Sequence, residues 1–218
     1  MAMVAGELGI RRRVYLVAEY FVLFFGIVAV FITVARGVSP IPFLVVLGAA
    51  AVVYLMRQPT FDRRDFLRPE AVRGQLRSIL TLWALAWVLA VAGLLVYDRS
   101  LLLDLPRHQP VLWAIIMVAY PLLSAYPQEL IFRAFVFQRY GRAFGPAGTV
   151  AASAAAFGFA HIFFHNWFAV IASTVGGVLF ATRYARSRSL LAVSVEHGLY
   201  GVLIFTVGLG QFVYHGPP

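Results

Sequence analysis

The chain has 218 residues, of which 61% are hydrophobic and 12% are charged, and its formal net charge is +9. Soluble domains are about 45–50% apolar, so this surplus cannot be buried in one core and excludes an ordinary soluble protein. The lack of cysteine excludes disulfides and thiolate metal sites.

Seven apolar segments follow one another along the chain. Their apolar residues are continuous rather than alternating, which predicts helices, and helices satisfy their own backbone groups in lipid. The predicted segments are Val14–Ala35, Ile41–Met56, Ser78–Tyr97, Val111–Tyr140, Thr149–Phe164, Trp167–Thr182 and Leu190–Leu209. The predicted fold class is all-α, a polytopic transmembrane helix bundle of about seven spans.

Three details refine these segments. The first apolar run is longer than the core of a cleavable signal peptide, so we expect an anchor. Pro69 and Glu70 suit the first turn of a surface helix that leads into the third segment. The fourth segment contains Pro121 and Pro127, which predicts either one kinked helix or two shorter pieces.

Arginine is concentrated in alternate connections. All eighteen basic residues are Arg, and fifteen lie in the N-terminal tail, after the second segment, at the end of the fourth or after the sixth. Only Arg36, Arg99 and Arg107 lie on the other side, which predicts a cytoplasmic N-terminus. We expect the arginines to contact anionic membrane lipids rather than nucleic acid, in a multi-pass protein of the cell membrane. The Arg-only, Ala- and Gly-rich composition favours a GC-rich genome, hence a bacterial inner membrane.

Polar side chains inside the predicted spans are costly, about 2.5–3.5 kcal/mol for a charged one, and therefore mark candidate functional residues. At about 1.5 Å per helical residue, four of them lie roughly 10–18 Å from the predicted cytoplasmic ends. Three segments thus place polar groups in one layer, as a shared site requires. These four are Glu129, Arg133, His161 and His197, and the full set adds Glu19, Gln128, His165 and Glu196.

Spacing pairs several of these residues on common helix faces. Glu129 and Arg133 are four residues apart, so the guanidinium can hold the carboxylate. Phe157 precedes His161 by one turn and can shield the imidazole from lipid. Gly201 follows His197 by one turn, where the missing side chain leaves room for a ligand or a neighbouring backbone.

Each feature also has a simpler interpretation. Glu129 and Arg133 are equally typical of a structural ion pair, and His161 of a packing residue. His165 lies near the predicted outer end of its segment, as interfacial residues do. Glu196, adjacent to His197 but on another face, and Glu19 favour structural roles.

A carboxylate, two imidazoles and an arginine in an apolar pocket suit the activation of water. The carboxylate can accept a proton from water as general base. The imidazoles can either ligate a divalent metal or donate hydrogen bonds to a developing oxyanion. The attacked group would be an amide or ester carbonyl.

The same residues resemble the motifs of the CPBP intramembrane proteases, the family of CAAX prenyl endopeptidases and bacteriocin-processing or immunity proteins. The resemblance rests on Gln128-Glu129-x-x-x-Arg133, on Phe157-x-x-x-His161 and on His197. It implies a membrane-embedded peptide hydrolase whose site opens to the cytosol. The resemblance also implies that the substrate is a peptide or protein and that the catalytic residues are Glu129, Arg133, His161 and His197. Zinc is the candidate cofactor, held by His161, His197 and Glu129 if a metal is present at all.

The implied domain division places N-terminal transmembrane helices and the Arg-rich loop in residues 1–110. The CPBP-like catalytic core occupies residues 111–210, and a tail occupies residues 211–218.

Two positions depart from the family pattern. The pattern begins with paired glutamates, the first usually the base, whereas this chain has Gln128. It also has Asn or Asp four residues after the last His, where this chain has Gly201. The base role would therefore move to Glu129, or the protein would be a catalytically inactive scaffold or immunity protein. The intramembrane acids alone are also compatible with a transporter or proton relay.

Overall fold

A computed structural model describes residues 8–34 and 38–213, and every regular element in those ranges is helical. The predicted all-α polytopic bundle is confirmed. Ala35, predicted to end the first span, Arg36, predicted on the outer side, and residues 214–218 of the predicted tail lie outside the described residues.

Eight helices make up the described part of the chain. They are α1 (Ile10–Val34), α2 (Ile41–Met56), α3 (Pro69–Tyr97), α4 (Asp104–His108), α5 (residues 110–144), α6 (residues 146–160), α7 (Trp167–Ser187) and α8 (Leu190–Val207). Short 3₁₀ turns lie at Arg63–Phe66, Arg99–Leu101, His161–Phe164 and Gly210–Phe212.

Five helical runs in the described residues are long and apolar enough to cross a membrane. They are Ile10–Val34, Pro69–Tyr97, Pro110–Phe164, Trp167–Ser187 and Leu190–Val207; Ile41–Met56 is apolar but shorter. A span needs about twenty residues, so the exact number of spans and their orientation stay predictions.

The connection expected between the fourth and fifth segments is almost absent. Helix continues through Phe144 and resumes at Pro146, and the break is confined to Gly145, with φ 72° and ψ 174°. That backbone conformation is open to glycine but not to residues with a Cβ. Pro146 then suits the first turn of α6, where its missing N–H has no partner to lose.

α5 is one helix with two π-helical stretches. α-Helical turns cover Pro110–Ala119 and Tyr126–Glu129, and π-helical turns cover Tyr120–Ala125 and Leu130–Phe135. Proline cannot donate the backbone hydrogen bond that a regular α-helix needs, and widened π turns often occur at functional sites. Of the two alternatives predicted for this segment, the continuous helix is therefore the correct one.

α8 is the central helix. Of its 18 residues, 61% are buried, the largest share among the candidate spans. It packs against α3, α5 and α7. It also ends at Gly208, whose φ of 117° closes the helix.

Glu19 takes the structural role expected of it. Its two carboxylate oxygens accept hydrogen bonds from Arg139 Nε at 2.8 Å and Nη2 at 2.7 Å. Tyr140 Oη donates a third, at 2.9 Å. This bidentate pair links α1 to α5.

The orientation of the bundle can be tested by single-cysteine labelling, because the chain has no native cysteine. Gly74→Cys lies in α3 near the Arg-rich loop, and Ser100→Cys lies at the other end of that helix; both positions are exposed. With a cytoplasmic N-terminus, a membrane-impermeant maleimide should label only Ser100→Cys in intact cells. Gly74→Cys should react only after permeabilisation, and the opposite pattern would invert the predicted topology.

Candidate active site

A large apolar cavity of about 2240 Å³ lies among α1, α2, α3, α5, α6, α7 and α8. Polar side chains are a minority in its wall. They include Tyr120, Ser124, Gln128, His161 and His197.

Glu129 and Arg133 form a fully buried ion pair behind this wall. Both residues are 0% exposed, and Arg133 Nε lies 3.0 Å from Glu129 Oε2, as the four-residue spacing predicts. The angle is too bent for a hydrogen bond, so the attraction is that of two opposite charges in a low-dielectric interior. Arg133 Nη1 also donates to Ser153 Oγ at 3.1 Å, and its guanidinium lies 4.6 Å from the Phe157 ring centre.

His197 joins Glu129 to the cavity. Its Nδ1 lies 2.8 Å from Glu129 Oε1, and its Nε2 lies 3.0 Å from Tyr120 Oη. The ring stacks on Phe180, with 4.7 Å between centres and 23° between planes, and meets the Phe157 ring edge-to-face at 5.4 Å. The imidazole is therefore fixed on both nitrogens and both faces.

His161 lies on the same cavity, at the start of the 3₁₀ turn that follows α6. Its Nδ1 lies 2.8 Å from the carbonyl oxygen of Phe157, and its ring centre lies 4.7 Å from that of Phe157. A carbonyl can only accept, so Nδ1 carries the proton of the neutral ring. The lone pair on Nε2 is then available to the cavity.

One family model matches the part of the chain that contains this geometry. Residues 110–203 match the family model described as type II CAAX prenyl endopeptidase Rce1-like. This part of the chain is similar to that family. The matched residues include the whole polar cluster, and the family is one of intramembrane endopeptidases, so the resemblance to the CPBP proteases is confirmed. A search of curated proteins and a search of solved structures each gave no match.

Gln128, the first departure from the family pattern, lines the cavity, whereas Glu129 does not. Its Nε2 donates to Ser124 Oγ at 2.7 Å, and its buried Oε1 has no protein partner. A carboxamide oxygen can accept a hydrogen bond, but it cannot take up a proton as a carboxylate does.

Gly201, the second departure, does not open onto free space. A Cβ built on Gly201 would lie 1.8 Å from Cε1 of Tyr120, so the tyrosine ring fills the volume above the glycine. The sequence predicted room for a ligand or a neighbouring backbone here, and the occupant is instead a side chain from α5. Tyr120 was not predicted as a site residue, because nothing in the local sequence pattern distinguishes it from the apolar residues around it.

Two further candidates lie outside the cluster around Glu129. His165 is exposed, has a φ of 53° and borders the cavity after the 3₁₀ turn. Glu196 is 0% exposed and binds Arg183 through both oxygens, at 2.5 and 2.7 Å. Arg183 also binds Gln75 and Ser78, so this network links α3, α7 and α8.

The donors do not fit a metal ion in their present arrangement. Across residues 8–34 and 38–213, no three His, Cys, Asp or Glu side chains form a group that could hold a metal. Both nitrogens of His197 have partners, and the cation of Arg133 already neutralises Glu129. The zinc set considered from sequence, His161, His197 and Glu129, is therefore not preformed, and we derive no catalytic step through a metal.

Proposed function

We propose that this chain is an intramembrane endopeptidase in which His161 activates water and Glu129 orients His197. The contact of 2.8 Å between the buried carboxylate of Glu129 and His197, beside His161 on one cavity, carries the proposal. A buried acid that fixes one imidazole tautomer is a recurring device of hydrolases.

The proposed reaction begins with a water molecule beside His161 in the cavity. Nε2 of His161 takes a proton as the water oxygen bonds to the peptide carbonyl carbon. The tetrahedral intermediate then collapses, the C–N bond breaks and the amine nitrogen receives a proton.

This assignment moves the base role away from Glu129, where the sequence analysis placed it. Glu129 is 0% exposed and does not line the cavity, and both its oxygens face other side chains. Glu129 is thus better suited to position His197 than to touch water itself. Arg133 supports the carboxylate in that role.

The cavity suits a substrate that is itself embedded in lipid. Its wall is almost entirely apolar, and it extends to Ser39, Phe163 and Leu209, at the helix ends away from the Arg-rich loop. Under the predicted topology these residues lie on the outer side, so the cytosolic opening expected from sequence needs a second route. Labelling of Ser39→Cys from either side of the membrane would locate this mouth.

A second candidate function is an inactive family member that acts as a scaffold or immunity protein. It is favoured by one observation, the carboxamide of Gln128 at the cavity wall where the family pattern has a carboxylate. Under this alternative the wild type cleaves nothing, and Gln128→Glu creates an activity that the wild type lacks.

The endopeptidase proposal is tested with purified protein in lipid vesicles and a membrane-anchored fluorogenic peptide. Wild type should cleave the peptide, and His161→Gln should lower kcat by about 10²–10⁴-fold, the usual contribution of a general base. His108→Gln, an exposed histidine on α4, is the matched control and should cleave at the wild-type rate. Absence of wild-type cleavage, or equal rates in wild type and His161→Gln, would refute the proposal.

A further inference from the structure

We propose that the hydroxyl of Tyr120 is a catalytic group of this site, acting as the general acid through which His197 reaches the substrate. The inference rests on the proposed endopeptidase function. It assigns a role to a residue that belongs to none of the three motifs.

The first support is an unbroken polar chain from the protein interior to the cavity. Glu129 Oε1 lies 2.8 Å from His197 Nδ1, and His197 Nε2 lies 3.0 Å from Tyr120 Oη. Tyr120 lines the cavity, whereas Glu129 does not. Because both ring nitrogens of His197 are occupied, the tyrosine oxygen is the end of this chain that can meet a substrate.

The second support is the packing that holds the ring in place. The missing side chain at Gly201 lets the Tyr120 ring approach α8, because any Cβ there would collide with Cε1 at 1.8 Å. The ring meets Phe205 at 5.5 Å between centres, and Pro121 packs against the position of Gly198. The π-helical stretch Tyr120–Ala125 shifts this turn of α5 relative to a regular α-helix.

The chemistry follows from this order of groups. With a proton on each nitrogen, His197 donates Nδ1–H to Glu129 and Nε2–H to the tyrosine oxygen, which frees the tyrosine O–H for the cavity. As the C–N bond of the tetrahedral intermediate breaks, the leaving nitrogen takes the hydroxyl proton, and the Nε2 proton of His197 passes to the tyrosine oxygen. His161 holds the proton removed from water, so base and acid are separate groups.

The leaving group provides the decisive test. An amide nitrogen must be protonated to leave, whereas the alkoxide of an activated ester leaves unaided. Tyr120→Phe keeps the ring above Gly201 and removes only the hydroxyl. It should lower kcat for the anchored peptide by about 10²–10⁴-fold and leave the matching activated ester within a few-fold of wild type.

The controls separate this inference from the function on which it rests. Tyr126→Phe, on the same helix but away from the cavity, should cleave both substrates like wild type. His161→Gln should lose both activities, because both need activated water. Gly201→Ala should push the ring aside and reproduce the selective loss of Tyr120→Phe.

Equal losses on peptide and ester in Tyr120→Phe, or no loss on either, would overturn the role of Tyr120 and leave the endopeptidase proposal standing. A wild type that cleaves neither substrate would overturn the proposed function itself, and this inference with it.

Discussion

Glu129→Gln is expected to lower kcat for peptide cleavage by about 10⁴-fold, as loss of the buried acid does in other hydrolases. The glutamine has the same shape, but its amide can donate to Nδ1 of His197 and so disfavours the proton on that nitrogen. It also leaves Arg133 buried without its counter-charge. Cleavage of the anchored peptide in vesicles, normalised to folded protein, measures the effect.

Glu196→Gln is the matched control for that prediction. Glu196 is adjacent to His197, is also 0% exposed and is also paired with an arginine, but it belongs to the separate network of Arg183. Its replacement should lower thermal stability and leave cleavage per folded molecule near the wild-type value. If Glu196→Gln lost as much activity as Glu129→Gln, a structural role for both acids would replace the catalytic assignment.

Arg133→Met is expected to give the largest loss of stability. It removes the guanidinium beside Glu129 and leaves a carboxylate at 0% exposure whose one remaining polar neighbour at that site is His197. Breaking a buried ion pair on one side typically costs about 3–5 kcal/mol in free energy of unfolding. Thermal or denaturant unfolding in detergent micelles measures this free energy.

The double variant Glu129→Gln/Arg133→Met tests the cause of that loss. Removing both charges eliminates the unpaired carboxylate, so the double variant should be more stable than Arg133→Met alone. If the double variant were the less stable of the two, loss of packing around the arginine side chain would explain the effect better than the buried, unpaired carboxylate.

Local spacing predicted part of the site. The contact of Glu129 with Arg133 and that of Phe157 with His161 follow from their four-residue separations, because such residues share a helix face. The apolar runs likewise predicted the helices, although they left out the charged final turns of α7 and the helical residues on either side of Gly145.

The remaining features depend on how helices face one another, which spacing within one helix does not encode. Gln128 and Glu129 are neighbours, and only the packing of α5 against α8 decides which of them borders the cavity. Tyr120 reaches His197 because a π-helical stretch and Gly201 coincide across two helices. The places of Gln128 and Gly201, the two departures from the family pattern, both depend on contacts between helices and could not be predicted from the sequence.

The claim that Glu129 acts through His197 is tested most directly by a double-mutant cycle on peptide cleavage. The four proteins are wild type, Glu129→Gln, His197→Gln and the double variant, each assayed for kcat in the same vesicles. Residues that act as one unit give strongly non-additive losses, so the double variant should lose little more than the worse single variant. Losses that multiply would show two independent groups and would contradict the account.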